Sequence, residues 1–179
     1  MKRLALLSCV LFAGSVHSQP PTGAENREEL KKLAYLVGTW EGEAEIAMGP
    51  GPKVKVKQSE TVEYKLNGAI LSIEGVGRGK LPGKDEEGVV FNAYAVISYD
   101  TKTKKLGMRA YRMEGTQVDA DFELTDKGFI WGFKVPQNGM KIRYTFTHEP
   151  AGTWKEVGEY SQDEKTWTKF IEMNLKKKS

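Results

Sequence analysis

The spacing of apolar residues changes once along the chain, close to residue 38. Within 25–38 the apolar residues are spaced i, i+3, i+4, i+7, which is typical of one buried stripe on a helix. That stripe consists of Leu30, Leu33, Ala34 and Val37. From Trp40 onward, apolar and polar residues alternate with a period of two, as in strands with one buried face. The pattern therefore predicts one helix followed only by strands.

Two signals mark the ends of the predicted helix. Asn26 and Glu29 have the spacing of a capping box, in which two side chains satisfy the free N–H groups of the first turn. Gly38 is placed to end the helix, because glycine readily adopts the left-handed conformation that closes many helices. The helix is therefore predicted over 25–38, after a flexible N-terminal segment at 19–24.

About ten alternating segments follow, and most are separated by tight turns. They lie at 39–48, 53–66, 69–78, 89–100, 105–113, 116–124, 129–136, 140–148, 153–161 and 166–175. Asn-Gly pairs at 67–68 and 138–139 are strong hairpin signals. Successive hairpins form an antiparallel meander, which at this length either closes or leaves two exposed edges. The sequence thus predicts an all-β protein: a closed antiparallel up-and-down β-barrel of about ten strands, with one short N-terminal helix and room for a small ligand.

Residues 1–18 have the composition of an export signal. A basic pair precedes a short apolar run, and small residues occupy the positions that guide cleavage. The run is too short to cross a bilayer. The prediction is a mature chain that begins near Gln19, forms one domain over 25–178, and is exported to the periplasm or the outside of the cell.

Composition narrows the choice of function. The single cysteine lies in the predicted signal peptide, so the mature domain is expected to be held by packing and sheet hydrogen bonds without a disulfide. Of 27 Lys and Arg residues, two lie within 1–18, which leaves 25 basic residues against 24 acidic ones. This even balance argues against nucleic acid as a partner.

The stretch Gly38-Thr39-Trp40-Glu41-Gly42-Glu43-Ala44 resembles the G-x-W start of the calycin superfamily, which includes lipocalins, fatty-acid-binding proteins and haem-binding nitrobindins. The chain departs from the nitrobindin form G-x-W-x-G-x-G at Ala44. Segments 97–111 and 170–178 support a resemblance to an uncharacterised family of exported bacterial domains with nitrobindin-like barrels. The resemblance implies that Trp40 packs across the closed end of the barrel beside the N-terminal helix. Gly42 would then let the helix or Trp40 approach the backbone.

His148 is the sole histidine after the predicted cleavage site, which excludes a multi-histidine zinc site. It shares a phase with Tyr144 and Phe146, on the face expected to point inward. A neutral imidazole there could ligate haem iron, as a histidine does in nitrobindins. The alternative is a histidine at the barrel rim, satisfied by solvent or a carboxylate.

Several polar residues also fall on inward phases. Gln58 and Glu60 alternate with valines, and Glu156 alternates with Trp154. Because a buried charge is unfavourable unless paired, such residues either form internal ion pairs or contact the polar end of a ligand. Arg109-Ala110-Tyr111 has the R-x-Y spacing with which fatty-acid-binding proteins hold a carboxylate. Arg109 and Arg112 have opposite phases, so only one of them can face the cavity.

The inward phases are rich in aromatic residues, which fits either an apolar ligand site or a filled core. The leading interpretation is an exported, non-catalytic protein that binds a small hydrophobic or amphipathic molecule inside the barrel, with no catalytic residue and no metal. The predicted ligand contacts are Arg112, Arg109, Tyr111, Tyr144, Glu60, Trp131, Phe146 and His148. Three alternatives stay open: a haem protein that uses His148, a lipocalin-like isomerase-type enzyme that uses an inward Glu60 or Tyr144, and a plugged barrel with a structural or interaction role.

Overall fold

The computed structural model describes residues 23–47, 49, 51–80, 83, 85–149 and 152–178. The predicted signal peptide at 1–18 lies outside the described residues, as do residues 19–22 of the predicted flexible segment.

Within the described ranges, the chain forms one α-helix, two short 3₁₀ turns and ten strands. The helix α1 spans Ala24–Lys31, and the 3₁₀ turns span Ala34–Leu36 and Leu66–Gly68. The strands are β1 (Gly38–Ile46), β2 (Val54–Lys65), β3 (Ile70–Lys80), β4 (Glu87–Asp100), β5 (Lys105–Arg112), β6 (Gln117–Thr125), β7 (Gly128–Lys134), β8 (Lys141–Glu149), β9 (Thr153–Ser161) and β10 (Thr168–Lys177).

The ten strands form one closed antiparallel barrel. Each strand pairs with its neighbours in sequence, and β1 pairs with β10 to complete the circle. The closing register runs from Trp40 opposite Lys177 to Ile46 opposite Ile171. The predicted fold class is confirmed: hairpin turns and period-two alternation were sufficient to indicate an up-and-down barrel.

The helix is shorter than predicted. It ends at Lys31, and the separate turn at Ala34–Leu36 carries the chain to the first strand. Leu30 and Leu33 of the predicted stripe are fully buried, but Ala34 is exposed, and Leu36, which was not part of the stripe, is fully buried. Because a 3₁₀ turn has three residues per turn, the break after Lys31 changes which of the following residues face the barrel.

The predicted capping box is wrong. The N-cap position of α1 is occupied by Gly23, which has no side chain that could cap the helix. The Asn26 side chain instead donates to the backbone carbonyl of Tyr99 on β4, at 2.7 Å. Gly38 does not end the helix; it is the first residue of β1 and has φ near +128°. A contact between the helix and the barrel has replaced the local contact that the sequence suggested.

The helix covers the end of the barrel at which β1 begins, called here the helix end. The Tyr64 hydroxyl donates to the Leu30 carbonyl at 3.1 Å, and the Trp40 indole donates to the Leu36 carbonyl at 2.7 Å. Trp40 is fully buried and meets Trp154 edge-on, with ring centroids 5.5 Å apart. Trp40 thus occupies the place that the resemblance implied for it. The opposite end of the barrel is called the far end.

The inner face has two different walls. One, on β3 to β6, is called the small-residue wall and consists of Gly75, Gly77, Ala93, Ala95, Ala110 and Ala120. The other, on β7 to β9, is called the aromatic wall and consists of Phe129, Trp131, Phe133, Tyr144, Phe146 and Trp154. Its rings stack closely: Phe129 on Phe146 with centroids 4.4 Å apart, and Trp131 on Tyr144 at 3.9 Å. Aromatic rings therefore fill one side of the interior, and on the other side the small residues leave a gap beside larger side chains such as Ile73 and Met108.

Candidate functional site

A small cavity of about 90 Å³ lies in the middle of the barrel, between the two walls. Two carboxyl side chains, Glu60 from β2 and Glu156 from β9, line it from different sides. Both are buried, with 6% and 8% of their surface exposed. The remaining lining residues are Ile73, Gly75, Ala93, Ala95, Met108, Phe129, Trp131 and Trp154. Two buried carboxyls in a mostly apolar cavity are the least expected feature of the interior and form the candidate site.

Glu60 is accommodated by a glycine on the neighbouring strand. Gly75 lies opposite Glu60 in the β2–β3 register, and a Cβ atom built on it would lie 2.7 Å from both Glu60 carboxyl oxygens. Gly77 opposite Gln58 is similar, since its Cβ would lie 2.6 Å from the Gln58 amide oxygen. The alternating glycines of β3 thus leave space for the two long polar side chains of β2 to fold over its backbone.

The polar contacts of Glu60 come from its own strand. The Gln58 side-chain amide donates to Glu60 Oε1 at 2.8 Å. Both side chains belong to the phase that the sequence placed inward, but their contact is a hydrogen bond rather than an internal ion pair. Both carboxyl oxygens of Glu60 lie against Gly75, and both residues line the cavity.

Glu156 is held from two sides by the aromatic wall. The Trp131 indole donates to Oε1 and the Trp154 indole donates to Oε2, each at 2.9 Å. Trp131 is fixed in turn by its stack on Tyr144, whose ring plane is inclined to it by 2°. Two rigid donors on separate oxygens therefore set the position of this carboxyl.

Burial shifts the proton equilibria of the site. Desolvation raises the pKa of Glu60 to about 8; the Gln58 hydrogen bond opposes the rise, and the negative charge of Glu156 adds to it. Burial also raises the pKa of Glu156, against the effect of the two indole hydrogen bonds. A carboxyl with a pKa of about 8 is mostly protonated at neutral pH, and a modest change in its surroundings ionises it.

The two arginines of β5 lie on opposite faces of the sheet. Arg112 shares the register of inward Ala93, near the far end; its side chain is 68% exposed and forms an ion pair with Glu114, Nε to Oε1, at 3.1 Å. Its charge still reaches the lumen. The pKa of the Tyr144 hydroxyl is raised by burial and by Glu156, and the charge of Arg112 counteracts that rise.

Arg109 and Tyr111 lie on the outer face. Arg109 donates to both carboxylate oxygens of Asp119, Nε to Oδ1 at 2.6 Å and a terminal nitrogen to Oδ2 at 2.9 Å. Tyr111 follows two residues later on the same face of β5. The R-x-Y pair is thus not brought together with Glu60, Tyr144 and Trp131 in the lumen.

His148 belongs to the helix end rather than to the cavity. Its imidazole stacks on Tyr35 with centroids 4.8 Å apart and meets Trp40 edge-on at 6.4 Å. Its Nδ1 is buried without a hydrogen-bond partner among the described residues. Phe146 lies beside it, fully buried and stacked on Tyr35 at 6.1 Å. A haem bound at this nitrogen would have to displace the rings that close the barrel, so the packing does not fit that group.

The glycines near Trp40 have clear steric roles. A Cβ on Gly42 would clash with the carbonyl of Asn174 on β10, so the close approach is made by the closing strand and not, as predicted, by the helix or Trp40. Gly38 combines its positive φ with the Lys177 side chain, whose Cε would lie 2.9 Å from a Cβ. Both glycines therefore serve the β1–β10 seam.

Glu60, Trp131 and Tyr144 point into the barrel, as the period-two alternation predicts. The alternation does not show that Glu60 and Trp131 line one cavity or that Tyr144 stacks on Trp131. Gln58, Gly75 and Glu156 were not among the predicted ligand contacts. One signal was present: the Gly-x-Gly-x-Gly run at 75–79 removes side chains from one face of a strand, which indicates that something else occupies that space.

Two further properties concern the described part of the chain. No helix there is long and apolar enough to cross a membrane. No group of three or more His, Cys, Asp or Glu side chains in those ranges is arranged to hold a metal ion.

Comparison with known proteins adds a family but no activity. None of the curated proteins matches the chain. One family model, described as a protein of unknown function (DUF1579), matches residues 25–177, which include the whole barrel and all of α1 except its first residue. The chain therefore belongs to the DUF1579 family.

Proposed function

We propose that the protein is an exported, non-catalytic binding protein that holds a small amphipathic molecule in the barrel lumen. The observation that carries this proposal is the central cavity of about 90 Å³ beside Glu60, a buried carboxyl whose hydrogen bond from the described residues comes from Gln58. Buried polar groups without a full set of partners commonly mark the place where a ligand is oriented.

The size of the cavity limits what enters it. A volume of about 90 Å³ corresponds to the share of about three water molecules in the liquid. The cavity therefore takes the polar head of a ligand, or a ligand of only a few heavy atoms. A longer apolar part would extend toward the far end, along the small-residue wall, where Ala93, Ala95 and Ala110 are only partly buried.

The two walls supply different parts of recognition. The aromatic wall offers flat apolar surface, whose burial provides most of the affinity for an apolar group. The small-residue wall offers space, since its glycines and alanines carry at most a methyl group between larger neighbours such as Ile73 and Met108. The calycin resemblance supports this interpretation, because barrels of that superfamily carry small ligands in their lumen.

Tryptophan fluorescence gives a direct test, because Trp131 and Trp154 both line the cavity. The protein purified from its own host is measured by native mass spectrometry, its bound molecule is extracted, and the molecule is titrated back. We expect a co-purified small molecule that changes the tryptophan emission. A clean apo mass together with no response to amphipathic molecules would overturn the proposal and favour a plugged barrel.

A pair of variants separates binding in the lumen from binding on the surface. Ala93→Leu places a large side chain into the cavity and should abolish the titration, whereas Asn92→Leu places the same side chain on the exposed outer face of β4 and should not. Circular dichroism melting of both variants checks that the barrel remains folded. Equal binding by the two variants would contradict a site in the lumen.

A catalytic role is the second candidate, and the observation that favours it is again Glu60. A carboxyl with a pKa of about 8 is suited to general acid–base chemistry near neutral pH. An enzyme would convert the extracted molecule, and the conversion would be lost in Glu60→Gln. A binding protein returns it unchanged.

Export is tested separately. Mature protein isolated from the host is expected to begin near Gln19, as measured by N-terminal sequencing. A cytoplasmic protein that retains residues 1–18 would contradict this part of the proposal and leave the lumen site unaffected.

A further inference from the structure

The polar atoms that the cavity lining offers to a ligand are mainly carboxyl oxygens. Its polar side-chain atoms are the oxygens of Glu60 and Glu156 and the indole N–H groups of Trp131 and Trp154. Both indoles are already engaged with Glu156. What remains to contact a head group is carboxyl oxygen, surrounded by apolar and aromatic surface.

Aromatic rings reinforce this preference. Phe129, Trp131 and Trp154 all line the cavity. The face of an aromatic ring carries partial negative charge and attracts cations, most strongly for tryptophan. Carboxyl groups and aromatic rings around a small enclosed space are the combination that binds organic ammonium ions.

We infer that the head group held between Glu60 and Glu156 is a primary ammonium ion, which enters in exchange for the proton on the carboxyl pair. This inference rests on the proposed function and names its ligand class. In the empty site a proton on Glu60 offsets the repulsion between two buried carboxyls. When the cation enters, Glu60 ionises and releases that proton to solvent, so the total charge of the site is unchanged.

The surroundings contain few other groups that would alter this exchange. Among the described residues, Glu156 from β9 is the charged side chain that shifts the pKa of Glu60. Glu156 and Arg112 from β5 both act on the Tyr144 hydroxyl of β8, and Arg112 forms an exposed ion pair with Glu114 near the far end. His148 packs against Trp40 at the helix end, and Trp40 lies opposite Glu60 in the β1–β2 register.

The exchange predicts whether ligand affinity rises or falls with pH. A cation that binds only the ionised form of Glu60 binds more tightly as pH rises, by about tenfold per unit below the pKa of about 8, with a plateau above it. A neutral ligand that accepts a hydrogen bond from protonated Glu60 behaves oppositely and weakens above that pH. Proton release on binding is a second, independent readout.

The experiment compares three probes of nearly equal size: n-propylammonium, 1-propanol and propionate. Each is titrated into the mature protein at several pH values between 6 and 8.5, with tryptophan emission and ligand-observed NMR as readouts. Calorimetry in buffers of different ionisation enthalpy counts the protons released. For ligands of four or five heavy atoms we expect dissociation constants in the millimolar range.

Matched variants complete the design. Glu60→Gln should lose n-propylammonium binding and proton release, while Glu63→Gln, an exposed carboxyl on the outer face of the same strand, should keep both. Binding of n-propylammonium that strengthens with pH and depends on Glu60 supports the inference. Lumen binding of propanol or propionate without n-propylammonium overturns it and leaves the proposed function standing. If none of the probes binds and no molecule co-purifies, both fail.

Discussion

The two walls of the lumen show how one barrel holds two buried carboxyls in different ways. On the aromatic wall, Trp131 and Trp154 each donate to a separate oxygen of Glu156, so rigid rings fix that group. Against the small-residue wall, Glu60 lies over Gly75 and receives a hydrogen bond from Gln58 on its own strand. Rings position a group, whereas missing side chains leave room around it. The binding site that we propose needs both properties at once.

The largest expected effect comes from removing the donors of the aromatic wall. Trp131→Phe combined with Trp154→Phe leaves Glu156 buried without its two indole partners, and we expect the free energy of unfolding to fall by about 4 kcal/mol. Urea unfolding at pH 7 measures the change. Trp167→Phe is the control, because Trp167 packs against the Arg143 guanidinium, 3.9 Å from its ring centroid.

A third substitution identifies the cause of that loss. Adding Glu156→Gln to the double variant removes the charge that lacks partners, so part of the stability should return. If stability does not return, the loss comes from ring packing, and Glu156 is not the group that the aromatic wall serves.

The next effect is a change in the free energy of unfolding with pH. Glu60 has a raised pKa of about 8 in the folded barrel against 4.5 as the ordinary value, so the folded state binds more protons than the unfolded state between these values. The free energy of unfolding therefore decreases as pH rises through that window, and the raised pKa of Glu156 acts in the same direction. The expected decrease is on the order of a few kcal/mol.

Glu60→Gln checks this assignment. The variant should match the parent near pH 5, where Glu60 is protonated, and should exceed it in stability near pH 8.5. Denaturant midpoints across the range give the comparison. Parallel curves for the two proteins would show that Glu60 does not titrate as described.

A smaller effect is expected on the small-residue wall. Gly75→Ala places a Cβ 2.7 Å from the Glu60 oxygens, so the carboxyl must shift into the cavity, and we expect a loss of about 2 kcal/mol. Gly107→Ala on β5 is the matched control, because its Cβ would meet nothing within 4 Å. Glu60→Ala should relieve the strain of Gly75→Ala. Equal losses from the two glycine substitutions would indicate a general preference for glycine in strands rather than contact with Glu60.

The smallest change in stability is expected on the outer face of the barrel. Arg109→Ala removes an exposed ion pair with Asp119, which solvent screens, so the denaturant midpoint should stay within experimental error of the parent. Ligand titration should also be unchanged. A loss of binding in this variant would place the site on the outer surface and contradict the lumen proposal.

The strand order could be predicted from the sequence, whereas the carboxyl site could not. Alternation and Asn-Gly turns define each hairpin locally, and the phase of Glu60, Tyr144 and Trp131 follows from a period of two. Which inward residues meet across the lumen depends on the stagger of the strands around the barrel, which no local pattern records. The contact of Gln58 with Glu60 is local, but the contact of Trp131 with Glu156 spans 25 positions.

The helix also shows that long-range contacts are not predictable from local sequence patterns. The burial of Leu30 and Leu33 followed from their spacing, yet Asn26 binds a β4 carbonyl 73 residues away instead of capping the helix. Side chains that suit a local role can take a distant partner when folding brings one close.

The pairing of β1 with β10 means that the barrel closes late in folding. The partner of Trp40 is Lys177, so the last seam cannot form until β10 is available. A chain shortened before β10 would expose two unpaired strand edges, on β1 and β9, and such edges recruit other chains into aggregates. Contacts between residues this far apart in sequence also form slowly. A barrel that cannot close before β10 is available fits the export that we propose, because a chain must be unfolded to pass through a narrow secretion channel.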